Sequence, residues 1–106
     1  MTNRTLRRAL EKGIETQVVT DAYFDLGVPS IKLGLRFDVA YPDRLFLIPG
    51  GRPLFIEFKV AGEEPRPLQE HKIEMLRGLG YDVSHEDSYE GAMSSIRLAI
   101  SKGAPK

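Results

Sequence analysis

Two short apolar runs separated by a proline-glycine-glycine break constrain this chain more than any other feature. Leu45-Phe46-Leu47-Ile48 runs to Pro49-Gly50-Gly51, and Leu54-Phe55-Ile56-Glu57-Phe58-Lys59-Val60 resumes as a stretch rich in aromatic and branched residues, the composition of strands paired around a turn. The pattern predicts a β-hairpin. Side chains alternate along a strand, so Phe55, Glu57 and Lys59 share one face while Leu54, Ile56, Phe58 and Val60 share the other. One face is core and the other carries charge.

Pro42-Asp43 precedes the first run, and the loop length decides where Asp43 falls. A two-residue Gly50-Gly51 loop sets Arg44 opposite Glu57 and turns Asp43 to the wrong face. A three-residue Pro49-Gly50-Gly51 loop sets Asp43 directly across from Glu57, with Cβ atoms about 4.5–5.5 Å apart. Two glycines permit the positive φ such a loop needs. Opposed carboxylates repel each other, and a shared divalent cation removes the conflict. Lys59 as a simple counter-ion to Glu57 on a solvated face is the competing explanation of the same pattern.

At 106 residues the chain is expected to form a single domain spanning 1–106, small but long enough for one core. It contains no cysteine, which excludes disulfides and thiolate zinc sites. His71 and His85 lack metal-ligand spacing and are expected at the surface. Any metal would then be oxygen-bound, which favours magnesium or manganese. The start of the chain is charged from Arg4 onward without an apolar core, and no stretch reaches the length of a membrane span, so a soluble, cytoplasmic protein is expected. Fifteen basic and fifteen acidic residues cancel, so total charge gives no nucleic-acid signal. Carboxylates that hold cations do not repel phosphate, and local placement decides.

Arg4 to Leu26 is predicted as a helix, with Ile14, Val18, Ala22 and Leu26 at successive i+4 positions and Gly27 as its stop. Glu15 falls inside the apolar arc of this helix, where a carboxylate needs a partner. Glu11 lies on the same stripe one turn earlier, so helix phase alone leaves both open. Val28-Pro29 opens a turn, and Ile31 to Val39 is predicted as a first strand with an irregularity at Gly34. After the hairpin, Ala61 to Pro67 is a loop. Leu68 to Leu79 is a second helix with Leu68, Lys72, Met75, Leu76 and Leu79 near one stripe, stopped by Gly80. Tyr81-Asp82-Val83 is a last strand, and Tyr89 to Ser101 a closing helix with Ala92, Met93, Ile96 and Ile100 facing in. A helix between the third and fourth strands permits a parallel crossover, hence an α/β domain with a mixed sheet flanked by helices.

Glu15 on a helix, Ala40-Tyr41-Pro42-Asp43-Arg44, Phe55-Ile56-Glu57-Phe58-Lys59, Pro67-Leu68-Gln69 and Leu76-Arg77-Gly78-Leu79-Gly80-Tyr81-Asp82-Val83 together resemble the VRR-NUC family, virus-type replication-repair nucleases of the PD-(D/E)xK superfamily. The resemblance runs from about Glu11 to Val83. It implies a restriction-endonuclease-like core in which Glu15, Asp43, Glu57 and the backbone carbonyl of Phe58 bind Mg2+, with Mn2+ able to substitute. It also implies that Lys59 assists the attacking water and that Gln69 supports the site. Stand-alone members are implied to be homodimers that resolve four-way DNA junctions, here in phage replication or repair within a host cytoplasm. The family usually has glycine where this chain has Ala40.

Arg44, Arg52, Arg66 and Lys72 would surround the hairpin and the proline loop as phosphate contacts, although each alone also fits ordinary solubilising surface. The expected activity is a magnesium-dependent endonuclease acting on branched DNA. Two alternatives are a non-cleaving nucleic-acid-binding module of the same fold and a small-molecule metal-dependent phosphoesterase.

Overall fold

In the computed structural model of the chain, residues 3–33, 40–60, 62–64 and 66–103 are described, with the side chains of the first helix described from residue 13 onward. The elements follow the predicted order: α1 (Asn3–Leu26), β1 (Ser30–Lys32), β2 (Arg44–Ile48), β3 (Arg52–Phe58), α2 (Pro67–Gly78), β4 (Asp82–Glu86) and α3 (Tyr89–Lys102). Gly27 ends α1 with φ +68°, a conformation open to glycine at no steric cost. Its N–H donates to the Tyr23 carbonyl and that of Val28 to Ala22, which covers the helix end and turns the fully buried Val28 inward.

The four strands form one sheet in sequence order, with β1–β2 and β2–β3 antiparallel and β3–β4 parallel. The β2–β3 register pairs Arg44 with Ile56, Phe46 with Leu54 and Ile48 with Arg52. It is the three-residue loop, with Gly50 and Gly51 both at positive φ. The first strand begins at Ser30, one residue before the predicted Ile31, and the Leu33 N–H extends its pairing to the Asp43 carbonyl at 2.8 Å. The rest of the predicted strand, 34–39, lies outside the described residues. β4 starts at Asp82 and continues past the predicted Val83 through Ser84-His85-Glu86.

The core lies on one face of the sheet. Phe46, Ile48, Leu54, Ile56 and Phe58 pack against Val18 and Ala22 of α1 and Ala92, Met93, Ile96 and Ala99 of α3, each large side chain contributing about 1.5–3 kcal/mol of burial. α2 takes the other face, over β4, and buries Gln69, Ile73 and Leu76. Its predicted stripe is thereby corrected: Leu68 and Leu79 are exposed. They stand at the helix ends, beyond the edge of the sheet contact, and the inward face is rotated toward Gln69 and Ile73. Within α3 the predicted Ala92, Met93 and Ile96 are buried, while Ala99 joins them and Ile100 packs half-buried at the margin. The Tyr89 hydroxyl donates to Asp21 Oδ2 at 2.6 Å and ties α3 to α1. Among the described residues no helix is long and apolar enough to cross a membrane.

Candidate active site

Continuing the observed register by two pairs sets Asp43 opposite Glu57 and Pro42 opposite Phe58. Proline has no N–H to donate, so the Phe58 carbonyl finds no ladder donor there, and the Phe58 N–H donates to the Asp43 side chain, at Oδ2, at 2.8 Å. A strand residue directs its N–H and C=O to the same neighbour, so the Phe58 carbonyl points toward the buried Pro42, which cannot donate to it. The end of the hairpin therefore gathers a carboxylate from Asp43, a carboxylate from Glu57 and a backbone carbonyl. This is an oxygen donor set of the kind hard divalent cations take.

Glu57 alternates with Ile56 and Phe58, so it leaves the core face and points toward the α2 side, where it is 1% exposed. The Lys59 ammonium lies 3.7 Å from Glu57 Oε2, and the Lys59 N–H continues the β3–β4 ladder by donating to the Glu86 carbonyl. A buried carboxylate is tolerated only with a compensating charge close by, and Lys59 supplies one. Gln69 is also buried, and its Oε1 accepts the Arg66 N–H at 3.1 Å at the start of α2. One turn further, Lys72 stacks its ammonium 4.5 Å from the ring centre of Tyr41. Lys72 thus reaches the loop that carries Pro42 and Asp43, with Gln69 three residues earlier on the same side of α2.

Glu15 is buried, in keeping with its place in the apolar arc of α1, but its partners are two cations. Its Oε2 accepts from Arg44 Nε at 2.7 Å and from Lys32 Nζ at 2.9 Å. Arg44 pairs with Lys32 on β1 and with Ile56 on β3, and paired residues share a face. Glu15 is thus held on the core side of the sheet, while Glu57 faces α2. Among the described residues no three of His, Cys, Asp and Glu are grouped to hold a metal ion. The Glu11 side chain lies outside the described residues.

The four basic residues expected around the site divide. Arg44 adjoins Asp43 but is engaged by Glu15, Arg66 is exposed at the head of α2, and Lys72 is on Tyr41. Arg52 requires a correction. It pairs with Ile48 beside the turn, five residues from Asp43, roughly 16 Å along the strand. There it contacts Asp82 at 3.8 Å and the Ala99 carbonyl at 3.5 Å. The turn and the site occupy opposite ends of the hairpin, so Arg52 anchors α3 rather than lining the site.

His85 is also corrected from surface to part-buried. It stands opposite Glu57 on β4, and its Nε2 is buried with no hydrogen-bond partner among the described residues. Lys32 and Tyr41 escaped sequence reasoning. The alternation of Lys32 with Ile31 carried no sign that β1 would set it beside Arg44, and only the approach of α2 gives Tyr41 its partner.

No family profile matches the chain. A protein of Acyrthosiphon pisum secondary endosymbiont phage 1, given the provisional name nuclease p44, is 41% identical over 59 residues, which is 56% of this chain and 61% of that protein. The chain thus matches less than two thirds of that relative's length. Among solved structures, a VRR-NUC domain superposes with a TM-score of 0.72 at 25% identity, covering 83% of this chain and 95% of the other. A second VRR-NUC domain protein gives 0.71 at 23% identity over 86% and 88%, a likeness of fold. The mixed four-stranded sheet, the opposed Asp43 and Glu57 at the open end of its hairpin, and these relatives together show that the chain has the fold of VRR-NUC nuclease domains and support that family as the one it resembles.

Proposed function

We propose that the chain is a divalent-cation-dependent endonuclease that hydrolyses DNA phosphodiester bonds. The observation that carries this reading is the hairpin register, which sets Asp43 across from Glu57 with the Lys59 ammonium 3.7 Å from the latter. Asp43, Glu57 and the Phe58 carbonyl would hold Mg2+, or Mn2+ in its place. The donor chemistry fits, because all three are oxygen ligands and the Phe58 carbonyl faces a proline that cannot donate to it.

When bound, the cation supplies positive charge at the phosphate and acidifies the attacking water. Asp43 is itself held in place, its Oδ2 accepting the Phe58 N–H. The Lys59 ammonium, kept at the site by Glu57, would donate a hydrogen bond to that water and stabilise the hydroxide that develops as its proton passes to solvent. Gln69 would support the site by holding the start of α2 in place through the Arg66 N–H. Arg44, Arg66 and Lys72 would contact phosphates on the rim.

Branched DNA is the proposed substrate and a homodimer the proposed active form, since paired incisions across a junction call for two sites related by a two-fold axis. A binding module that does not cut gains nothing from two carboxylates turned toward phosphate. The test is cleavage of four-way junction, flap, duplex and single-stranded DNA with Mg2+, with Mn2+ and in EDTA, by wild type and Asp43→Asn. Metal-dependent cutting lost in Asp43→Asn is expected, and unimpaired cutting by that variant would overturn the assignment.

A further inference from the structure

We propose that Glu15 is a positioning residue that holds Arg44 and Lys32 together as a phosphate-binding pair, and that it stays outside the ligand shell of the cation. The inference rests on the nuclease reading for the identity of the anion, a backbone phosphate of the DNA substrate. Arg44 and Lys32 are directly paired across β1 and β2, and like charges in that relation repel. A structure that needed only to fill this position would not put two cations there. Glu15 resolves the conflict from α1 by accepting from both on one oxygen, at 2.7 and 2.9 Å.

Among the described residues, one carboxylate against two cations leaves a net positive charge and unused donors. Arg44 spends its Nε–H on Glu15, which turns the two terminal nitrogens of its fork onward, and Lys32 has two further N–H groups. Burial grades outward along this set: the Glu15 side chain is 8% exposed, Arg44 21% and Lys32 55%. The carboxylate is therefore the anchored member and the cations reach solvent. Arg44 follows Asp43 directly in β2, so the pair lies one residue along the strand from the candidate cation site, on the face of the sheet toward α1. A guanidinium fixed at Nε presents a rigid two-pronged donor to a phosphate, which a freely rotating side chain does not. By contrast, a role for Glu15 as a cation ligand would require both ion pairs to break and its carboxylate to leave the core side of the sheet.

Three measurements decide this. Mn2+ binding to the DNA-free protein, read by electron paramagnetic resonance, should be weakened at least about tenfold in Asp43→Asn but stay within about twofold of wild type in Glu15→Gln. Binding of labelled duplex DNA in EDTA, titrated with salt, should lose about one from its log–log slope in each of Arg44→Gln and Lys32→Gln. Cleavage by Glu15→Gln should fall about tenfold, mainly through KM, and the Glu15→Gln/Arg44→Gln double variant should be no worse than Arg44→Gln, because coupled residues are non-additive.

Glutamine keeps an oxygen for the two donors, so the variant should fold, and thermal melting checks it. Arg44→Lys is the companion variant, expected to keep the salt slope while losing cleavage with the directed fork. A tenfold loss of Mn2+ affinity in Glu15→Gln, unchanged salt slopes in both cation variants, or additive cleavage losses would each overturn the proposal. If Asp43→Asn binds Mn2+ as wild type does, the metal reading fails on its own, and the EDTA titration still judges the phosphate pair.

Discussion

Asp43 does two things with one carboxylate, and substitutions separate them. It accepts the Phe58 N–H at the end of the β2–β3 ladder, and in the proposed mechanism it holds the cation. Asp43→Asn keeps an acceptor oxygen and should preserve the fold while losing cleavage by orders of magnitude. Asp43→Ala should lose the same activity and also cost about 1–3 kcal/mol, the penalty for an unsatisfied buried donor, which urea unfolding would read. Equal stability of the two variants would show that the Phe58 N–H finds another partner. Pro42→Ala probes the complementary group. It supplies the missing N–H opposite the Phe58 carbonyl, so Mn2+ affinity should fall about tenfold with no loss of thermal stability; unchanged affinity would remove that carbonyl from the site.

At the scale of elements, Gly91 in the first turn of α3 reverses the usual preference of helices for alanine over glycine. A Cβ there would lie 2.6 Å from Glu86 Oε1 and 2.9 Å from Ser88 Oγ. Both neighbours are committed: the Ser88 hydroxyl caps the helix by accepting the Gly91 N–H, and Glu86 is bound by Ser84 and Ser95. Gly91→Ala should therefore destabilise by about 1–3 kcal/mol, as overpacking does, where propensity alone would stabilise by about 1 kcal/mol; denaturant midpoints give the sign. The α1–α3 contact has a pH signature. The hydrogen bond to Asp21 raises the Tyr89 pKa above its usual value, so its stabilisation is complete below about pH 10 and fades as pH climbs through the higher folded-state value. Tyr89→Phe should melt below wild type at neutral pH, with the gap closing in strong alkali.

These same elements mark where sequence was informative. The hairpin register was readable because only the odd loop makes Asp43 and Glu57 neighbours, and α1 because its apolar spacing is regular. The polar half of β4 was not, since Ser84 and Glu86 face hydroxyls on α3 rather than a hydrophobic core. The face of α2 was misjudged because the two leucines at its ends outweighed a buried glutamine, and Arg52 because linear nearness to the hairpin hid which end of it the residue occupies.

At the scale of the whole molecule, α1 and α3 cover the core side of the sheet, while Glu57 faces the other side, under α2. Two copies could therefore join through their helical backs and leave both candidate sites open. Part of the exposed apolar surface lies where this requires it. Phe24 is 76% exposed near the end of α1, in edge-to-face contact with the exposed Tyr23 at 5.1 Å, and Leu98 is 58% exposed on α3; an exposed aromatic pair is a common mark of association. Leu6 and Leu10, which the helix phase puts off the core stripe, fall outside the described side chains. The proposed two-fold dimer predicts that wild type elutes and scatters light as two chains, and that Phe24→Asp shifts it toward one. The same variant should still nick a junction strand with Mg2+ but lose the coupling of the two incisions, since each chain carries one Asp43, Glu57 and Lys59 set. Wild-type protein that stays monomeric at working concentration and makes both cuts in a single binding event would eliminate the dimer.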